Sequence, residues 1–451
     1  MDRPPNPGDD YSSVGGRTSS IALLGAFVAL AALAASTPAL SIGGVASGGS
    51  HPIGAVYVSS NAYSGNEILT FPRYADGSLG PVEQGVPTGG LGSGPGLLLP
   101  DDPLGAQSPL IVDQEKQLLF VVNAGSNDVS VFSIRGNTLT LVDRQSSDGA
   151  FPVSVALFDH TLYVLNAAGN SVAGFAVNDG GHLTHLQTCA LPSLPPGADS
   201  VRPGTQTQSP QPVMVQTAGQ VGFSPDGRKL VVTSKEGPLL QNGFPFSATL
   251  GSGRVHVYDV GGAQRTLLNC GHPTTTVLSS NGSANGKMPF SFGWTAQGQL
   301  LLLEVFGATT SFGGGAVSSF ALRGDDTLSP ISTSIPNGET APCWIVRSGT
   351  NVYVANNVSN ASNQPNVISH YVVNSKGQLA PNPAVAATLG TSLTDVTITA
   401  SGRFIYQLAT GSAQVWPFSV GVRGALTGLT PVADGQPQHS GQVGIATVDF
   451  Q

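Results

Sequence analysis

The sequence contains little charge. Lys, Arg, Asp and Glu make up 10% of the 451 residues, and the formal net charge is −8. Binding to a nucleic acid needs clustered Lys and Arg side chains that neutralise phosphates, and no such cluster occurs in this chain. We therefore expect no nucleic-acid partner.

The chain is also poor in cysteine, with three residues. Three cysteines are too few for a disulfide scaffold and their spacing fits no metal site, so we predict neither a metal nor any other cofactor. Cys189 and Cys270 can form a disulfide if the compartment is oxidising, and the sequence leaves this open. Cys343, beside Trp344, is interpreted as a buried free thiol.

Signature motifs of several enzyme classes are missing. The sequence contains no HExxH, no G-x-S-x-G and no EF-hand pattern. The Gly-rich segment at 89–96 opens no helix and follows no strand of a dinucleotide-binding type, so we interpret it as a loop and not as a phosphate site. Any chemistry must therefore depend on a less familiar set of residues.

A long uncharged stretch lies near the N-terminus. Residues 18–66 contain no Lys, Arg, Asp or Glu, and residues 21–35 are almost continuously apolar. This pattern is typical of a secretory signal peptide, and the alternative is a retained signal anchor at residues 21–40. We divide the chain into a leader (1–50) and a folded domain (51–451). We expect a secreted or extracytoplasmic protein, with a membrane contact only through an uncleaved leader.

A repeat organises the folded domain. Residues 151–186 contain three alternating apolar segments and a weaker fourth, separated by turn formers, which is typical of four antiparallel strands. The third segment contains an aliphatic residue followed three positions later by an aromatic one. This pair recurs at Ile68/Phe71, Val129/Phe132, Val172/Phe175, Val255/Tyr258, Val317/Phe320, Ile368/Tyr371 and Val415/Phe418.

Seven copies in one order predict an all-β fold, a seven-bladed β-propeller of four-stranded antiparallel blades. The first unit begins at His51 with its second strand, so its innermost strand must come from elsewhere. Residues 444–450 form an alternating segment with no unit of their own. We predict that this C-terminal strand pairs into the first blade and closes the ring, leaving no free sheet edge.

Strand order also predicts where the loops lie. The turns after the first and third strands of each blade share one face, here called the short-turn face. The loops after the second and fourth strands share the opposite face, here called the long-loop face. We assign all long connections to the latter, which marks it as the binding face. These connections are residues 80–108, 187–212, 235–252, 268–288, 307–315 and 357–366.

Three segments resemble a known family: Phe223 to Leu230 (FSPDGRKL), Leu162 to Asn166 (LYVLN) and Gly125 to Phe132 (GSNDVSVF). They are similar to the seven-bladed lactonase-type propellers, which include bacterial 6-phosphogluconolactonases and fungal 3-carboxymuconate cyclases. The resemblance covers residues 51–451, and residues 88–134 are most similar to the cyclase-like branch. It implies a protein that hydrolyses or forms a lactone at the channel mouth.

The family's chemistry is associated with a His, an Arg and a Glu at the starts of innermost strands. The matching places here are Gln211 to Met214, Lys287 to Ser291 and Ala341 to Trp344, which keep the prolines but contain neither the His nor the Glu. Two hypotheses follow. One is a lactonase or cycloisomerase, and the other is a non-catalytic extracellular module that binds a small molecule, a carbohydrate or a protein on the long-loop face.

Three residues form a candidate catalytic set. Asp395 lies in the predicted innermost strand of the last unit, where a charge would face the central channel. His439 precedes the closing strand, and Lys287 takes the place of the family's Arg and would hold a carboxylate while Asp395 or His439 moves a proton. The alternative interpretation is that Asp395 is hydrogen-bonded to neighbouring backbone and that His439 is a solvated loop residue.

Three further charged residues are candidates for ligand binding. Glu304, Lys235 and Glu236 follow predicted second strands and should lie on the long-loop face. Charges at such positions also serve simply to anchor loops, which is the alternative interpretation.

Overall fold

A computed structural model describes residues 51–96, 101–192, 201–202, 211–212, 217–235, 253–278, 288–305, 314–358, 366–389 and 391–451. The predicted leader, residues 1–50, lies outside the described residues. Within the described part, no helical segment has the length and hydropathy needed to cross a membrane. Apart from one 3-10 turn at Val422–Gly424, the regular elements named below are strands.

The strands form seven antiparallel sheets, described here as blades 1 to 7. Blade 1 contains β1 (Gly54–Ser59), β2 (Glu67–Arg73), β3 (Val86–Pro87) and the last strand of the chain, β32 (Val443–Asp449). Blade 2 contains β4 (Leu110–Asp113), β5 (Leu118–Asn123), β6 (Asp128–Arg135) and β7 (Thr138–Ser146). Blade 3 contains β8 (Pro152–Phe158), β9 (Thr161–Asn166), β10 (Ser171–Val177) and β11 (Leu183–Ala190).

A separate two-stranded pair, β12 (Val201–Arg202) and β13 (Gln211–Pro212), follows blade 3. Blade 4 contains β14 (Ala218–Phe223), β15 (Lys229–Ser234), β16 (Arg254–Gly261) and a divided outer strand, β17 (Thr266–Leu267) and β18 (Thr274–Val277). Blade 5 contains β19 (Pro289–Trp294), β20 (Gln299–Glu304), β21 (Ala316–Leu322) and β22 (Leu328–Pro336).

The last two blades have the same plan. Blade 6 contains β23 (Thr340–Ser348), β24 (Asn351–Val358), β25 (Val367–Val373) and β26 (Leu379–Thr388). Blade 7 contains β27 (Leu393–Ile398), β28 (Phe404–Ala409), β29 (Gln414–Val420) and a divided outer strand, β30 (Leu426–Gly428) and β31 (Val432–Ala433). The innermost strands contact one another in the closed order β32, β4, β8, β14, β19, β23, β27 and again β32. The predicted seven-bladed propeller is therefore confirmed.

The ring is closed by the C-terminal strand, as predicted. β32 pairs antiparallel with β1, so the order in blade 1 is β3, β2, β1, β32. Asp449, at the end of β32, binds the buried guanidinium of Arg73 in β2. Its backbone N–H also donates to Gln114 Oε1 in blade 2 at 2.8 Å, and its carbonyl accepts from Gln114 Nε2 at 2.6 Å. The last strand thus joins the first blade to the second.

The recurring aliphatic and aromatic pair has a packing explanation. Residues three apart in a strand point to opposite faces of the sheet, and each blade is covered on both faces by its neighbours. In β6, Val129 packs in one apolar cluster with Val153 of blade 3, whereas Phe132 packs in another with Tyr57 of blade 1. All seven predicted pairs lie in the third strands of their blades.

The outer strand of blade 1 is irregular but follows a tight turn, as in the other blades. In that turn the N–H of Tyr74 donates to the Ser78 carbonyl at 3.0 Å. The chain then runs back along β2, first with a bridge from Arg73 to Leu79 and then with backbone hydrogen bonds from Gly80 and Glu83, before β3 begins at Val86. Pro72 and Pro81 have no backbone N–H, so the ladder with β2 is interrupted between these points.

The cysteine alternatives are now settled. Cys189 in β11 forms a disulfide with Cys270, which lies in the break between β17 and β18, so the bond links blade 3 to blade 4. Cys343 in β23 is free and buried, as expected.

Candidate functional site

The centre of the propeller is occupied by the chain itself. Residues 101–108, here called the crossing segment, connect blade 1 to the innermost strand of blade 2 by way of the channel. Gln107 makes the widest set of contacts: its carbonyl accepts from Ser154 Oγ of blade 3 at 2.7 Å, and its N–H donates to the Gly219 carbonyl of blade 4 at 3.3 Å. Its side-chain amide pairs with the backbone of Ile345 in blade 6 at 3.0 and 3.2 Å.

Other parts of the crossing segment are held in the same way. The indole Nε1 of Trp344 donates to the carbonyl of Ala106 at 3.1 Å, and the N–H of Val155 donates to the carbonyl of Ser108 at 2.9 Å. Because blades on opposite sides of the ring hold this segment, it closes the middle of the channel.

The start of the crossing segment is approached through the Gly-rich loop at 89–96. A Cβ on Gly92 would lie 2.1 Å from the carbonyl of Asn61 in blade 1, so only glycine allows this close packing. Asn61 Nδ2 also donates to Ser93 Oγ at 2.9 Å. The glycines thus let the loop lie flat on blade 1 before the chain turns into the channel.

A buried lysine binds the crossing segment. Lys235, which follows β15, is fully buried, and its Nζ donates to the Gly105 carbonyl at 2.6 Å and to the Ala218 carbonyl at 3.0 Å. It also lies 5.2 Å from the ring centre of Phe290, a cation–π distance. Burial lowers the pKa of the Lys235 ammonium, and the nearby charge of Asp102 opposes that change.

Asp102 and Asp395 add two carboxyl groups to this buried cluster. Asp102 accepts from the N–H of Gly105 at 2.9 Å, and burial raises its pKa while the Lys235 charge opposes the rise. Asp395, in β27, accepts from the N–H of Gly444 at 2.7 Å and from the N–H of Ser108. Burial raises the pKa of Asp395 to about 8, so this carboxyl group is protonated at neutral pH.

The cluster contains an amine and carboxyl groups, which can act as acids or bases. These groups, however, form hydrogen bonds with the backbone. Lys235 donates to two carbonyls, and Asp395 accepts from two N–H groups. Burial also raises the pKa of the Cys343 thiol, which keeps it protonated and unreactive. Among the described residues, no group of three or more His, Cys, Asp or Glu is arranged to hold a metal ion. In this conformation the cluster holds the crossing segment in place.

The predicted catalytic set is only partly brought together. Asp395 lies in an innermost strand, as expected, and contacts Ser108 at the end of the crossing segment. His439 instead contacts the start of that segment, with its Nδ1 2.8 Å from Asp101 Oδ1, and its side chain is 54% exposed. Lys287 lies outside the described residues, so its role stays a prediction.

The predicted ligand-binding residues are also separated. Lys235 belongs to the buried cluster. Glu304 ends β20 of blade 5, where its carboxylate accepts from Ser334 Oγ of the outermost strand at 2.5 Å, away from the channel. Glu236 lies outside the described residues.

Sequence reasoning missed the residues of the crossing segment. Asp102 and Gln107 lie in a connection that we assigned as a loop on the long-loop face, and nothing in the local pattern distinguishes Gln107 from other loop residues. Asp102 had one weak signal. Asp101 and Asp102 are adjacent charges in a chain where charge is scarce, and they precede Pro103.

These features define the class of the protein as a seven-bladed β-propeller with a closed channel. Residues 102–291 match the family model described as a lactonase, a 7-bladed beta-propeller. The predicted resemblance to the lactonase-type propellers is thus confirmed, whereas the cyclase-like branch stays a prediction. A search of curated protein sequences finds no match.

Solved structures show the same fold. The periplasmic gluconolactonase of Pseudomonas aeruginosa has a TM-score of 0.58 and 18% identity, over 88% of this chain and 99% of that one. A proposed 6-phosphogluconolactonase from Bacteroides fragilis has a TM-score of 0.56 and 16% identity, over 88% and 98%. A second proposed 6-phosphogluconolactonase, from Bacteroides uniformis, has a TM-score of 0.56 and 15% identity, over 88% and 100%. At such identities the likeness concerns the fold alone.

Proposed function

We propose that this chain is a carbohydrate-binding propeller that acts outside the cytoplasm and does not catalyse a reaction in its channel. The observation that carries this proposal is the crossing segment, which occupies the place where a substrate would meet the polar groups of the channel. Lys235 and Asp395 bind backbone groups of the chain itself. Carbohydrate binding is then left to the long-loop face.

The long-loop face supports a carbohydrate as the ligand. Its described loops at 60–66 and 88–96 contain no charged residue and are rich in Ser, Asn and Gly. Tyr63, in the first of these loops, is 43% exposed, and Gly94 packs against its ring without covering it with a side chain. An exposed aromatic ring next to uncharged polar groups suits the apolar faces and the hydroxyl groups of a sugar.

Two observations support action outside the cytoplasm. The disulfide between Cys189 and Cys270 would persist in an oxidising compartment and not in a reducing one. The structurally similar gluconolactonase from Pseudomonas aeruginosa is periplasmic. Both agree with the signal peptide that the sequence predicts.

The binding proposal is tested with a glycan panel. Purified protein should bind at least one neutral glycan, and Tyr63→Ala should abolish that binding while leaving the thermal midpoint unchanged. Tyr74→Ala removes a half-exposed ring on the short-turn face and is the matched control. Equal loss in both variants, or no binding by the wild-type protein, would refute the proposal.

Lactone hydrolysis is the second candidate function. It is favoured by the match of residues 102–291 to the lactonase family and by the raised pKa of Asp395, which suits a general acid. If the crossing segment moves aside, water would add to the lactone carbonyl, the ring C–O bond would break as Asp395 protonates the leaving oxygen, and the proton released by the added water would return to Asp395. A pH-stat assay with δ-gluconolactone tests this. Turnover by the wild-type protein no faster than by Asp395→Asn would exclude the enzyme.

A further inference from the structure

The short-turn end of the channel contains an open cavity of about 710 Å³. It lies between the innermost strands of blades 2, 3 and 4 and the tight turns that follow them. Ser108, the last residue of the crossing segment, belongs to its lining, so the segment closes the inner end of this cavity. The volume falls within the range of roughly 300 to 1,000 Å³ that small-molecule sites occupy.

A buried amide donor lies in the lining of this cavity. Gln220 in β14 is 6% exposed, and its Oε1 accepts from the N–H of Phe292 in blade 5 at 2.7 Å. That bond fixes the orientation of the amide, because an N–H can only donate to the oxygen. No hydrogen bond joins the Nε2 of Gln220 to a described residue, and this atom is accessible from the cavity and not enclosed by the protein. It is therefore available to an acceptor in the cavity.

The walls around this donor are apolar. Val155 and Leu157 of β8, Val221 and Phe223 of β14, and Ile111 of β4 belong to the lining. An acceptor bound at Gln220 would therefore need an apolar body. A carbonyl group attached to a hydrocarbon meets both requirements.

The rim of the cavity selects against anions. We count the charged side chains of the rim together with the residues that form ion pairs with them. In this set, carboxylates outnumber cations. The Nζ of Lys116 is 3.0 Å from Asp179, which offsets its charge, and His160 lies between two carboxylates. The carboxylates are Asp113, Glu115, Asp159 and Asp179, and the cations are Lys116 and Arg265. A negative rim repels a ligand acid and tolerates an uncharged ligand.

We infer that this cavity binds an uncharged amphipathic molecule through a carbonyl oxygen, with Gln220 Nε2 as the donor. The site lies at the opposite end of the channel from the proposed carbohydrate face and does not depend on it. The ligand is inferred from the cavity itself. It follows neither from the closed channel nor from the resemblance to the lactonases.

The inference is tested by isothermal titration with N-octyl-2-pyrrolidone, an uncharged carbonyl compound that is not a lactone. Decanoate, of similar length but anionic, is the comparison, and both are used below the concentrations at which they aggregate. We expect the pyrrolidone to bind with one site per chain and decanoate to bind at least about tenfold more weakly, because the rim is negative. Equal binding of the two probes would overturn the charge argument, and no binding of the pyrrolidone would overturn the site.

Two variants locate the site. Gln220→Met removes the donor at similar size and should weaken pyrrolidone binding about tenfold. It also leaves the N–H of Phe292 without an acceptor, so folding is checked by circular dichroism. Ala156→Leu narrows the cavity without touching that bond and should also weaken binding. Gln378→Met, at an exposed turn of blade 6, is the control and should change nothing. Unchanged binding in Gln220→Met or in Ala156→Leu would refute the location.

Discussion

The protonated carboxyl group of Asp395 should make the stability of the propeller depend on pH. Burial raises the pKa of Asp395 from an ordinary value of 3.8 to about 8 in the folded protein. Between about pH 4 and pH 8 the native state therefore holds a proton that the unfolded chain has released. The stabilisation is complete below this range and is lost as the pH rises through the folded pKa. The free energy of unfolding should fall by about 1.4 kcal/mol for each pH unit in this window.

The substitution Asp395→Asn removes this titration. Between pH 5 and pH 7 the wild-type protein should lose about 3 kcal/mol more than the variant. Asp102 and Asp434 also have raised pKa values and lower the stability over the same range, but they do so in both proteins. The variant places an amide NH2 group near the N–H groups of Gly444 and Ser108 in place of a carboxyl oxygen, which adds a separate cost. That cost does not vary with pH, and the slope is therefore the informative quantity.

The assay is urea unfolding at pH 5, 6 and 7, followed by fluorescence. Asp325→Asn is the control, since hydrogen bonds from Thr327 lower the pKa of this exposed carboxyl and keep it ionised throughout the range. The control should retain the wild-type slope. If Asp395→Asn also retains that slope, the carboxyl is not protonated in the folded protein and the account of the buried cluster is wrong.

Three further changes test the ring and its closed channel. Asp449→Ala should lower the free energy of unfolding by about 3 kcal/mol in urea titrations, because Arg73 is buried and loses its counter-ion. Replacing both Cys189 and Cys270 with Ser opens a loop of 81 residues and should cost about 4 kcal/mol, measured against the oxidised protein. Trp344→Phe removes the indole donor to the crossing segment and should cost about 1 to 3 kcal/mol, seen as a lower thermal midpoint. An unchanged stability in any of these variants would contradict the contact concerned.

The buried cluster differs from the set of residues that the family resemblance implied. The chain lacks the expected His and Glu, and the groups that remain bind the crossing segment. The disulfide and the closing strand stabilise the ring from its outside and its inside respectively. The protein thus keeps the scaffold of the lactonase-type propellers while its channel is used for internal packing.

The repeat could be predicted because it is local. Each blade needs apolar side chains on both faces of its third strand, so the pair Val129/Phe132 and its six counterparts appear in the sequence at fixed spacing. The closing strand could be predicted by counting strands, since the first unit lacks one and residues 444–450 form one with no unit of their own. The position of Asp395 in an innermost strand followed from the same strand order.

The crossing segment was missed because its contacts are not local. Gln107 contacts Ile345 across 238 positions of the chain, and no local pattern records such a contact. The sequence by itself therefore determined the blades and their closure, since those depend on periodic burial. Only the tertiary structure decided what fills the channel, because that depends on residues that meet after the ring has formed.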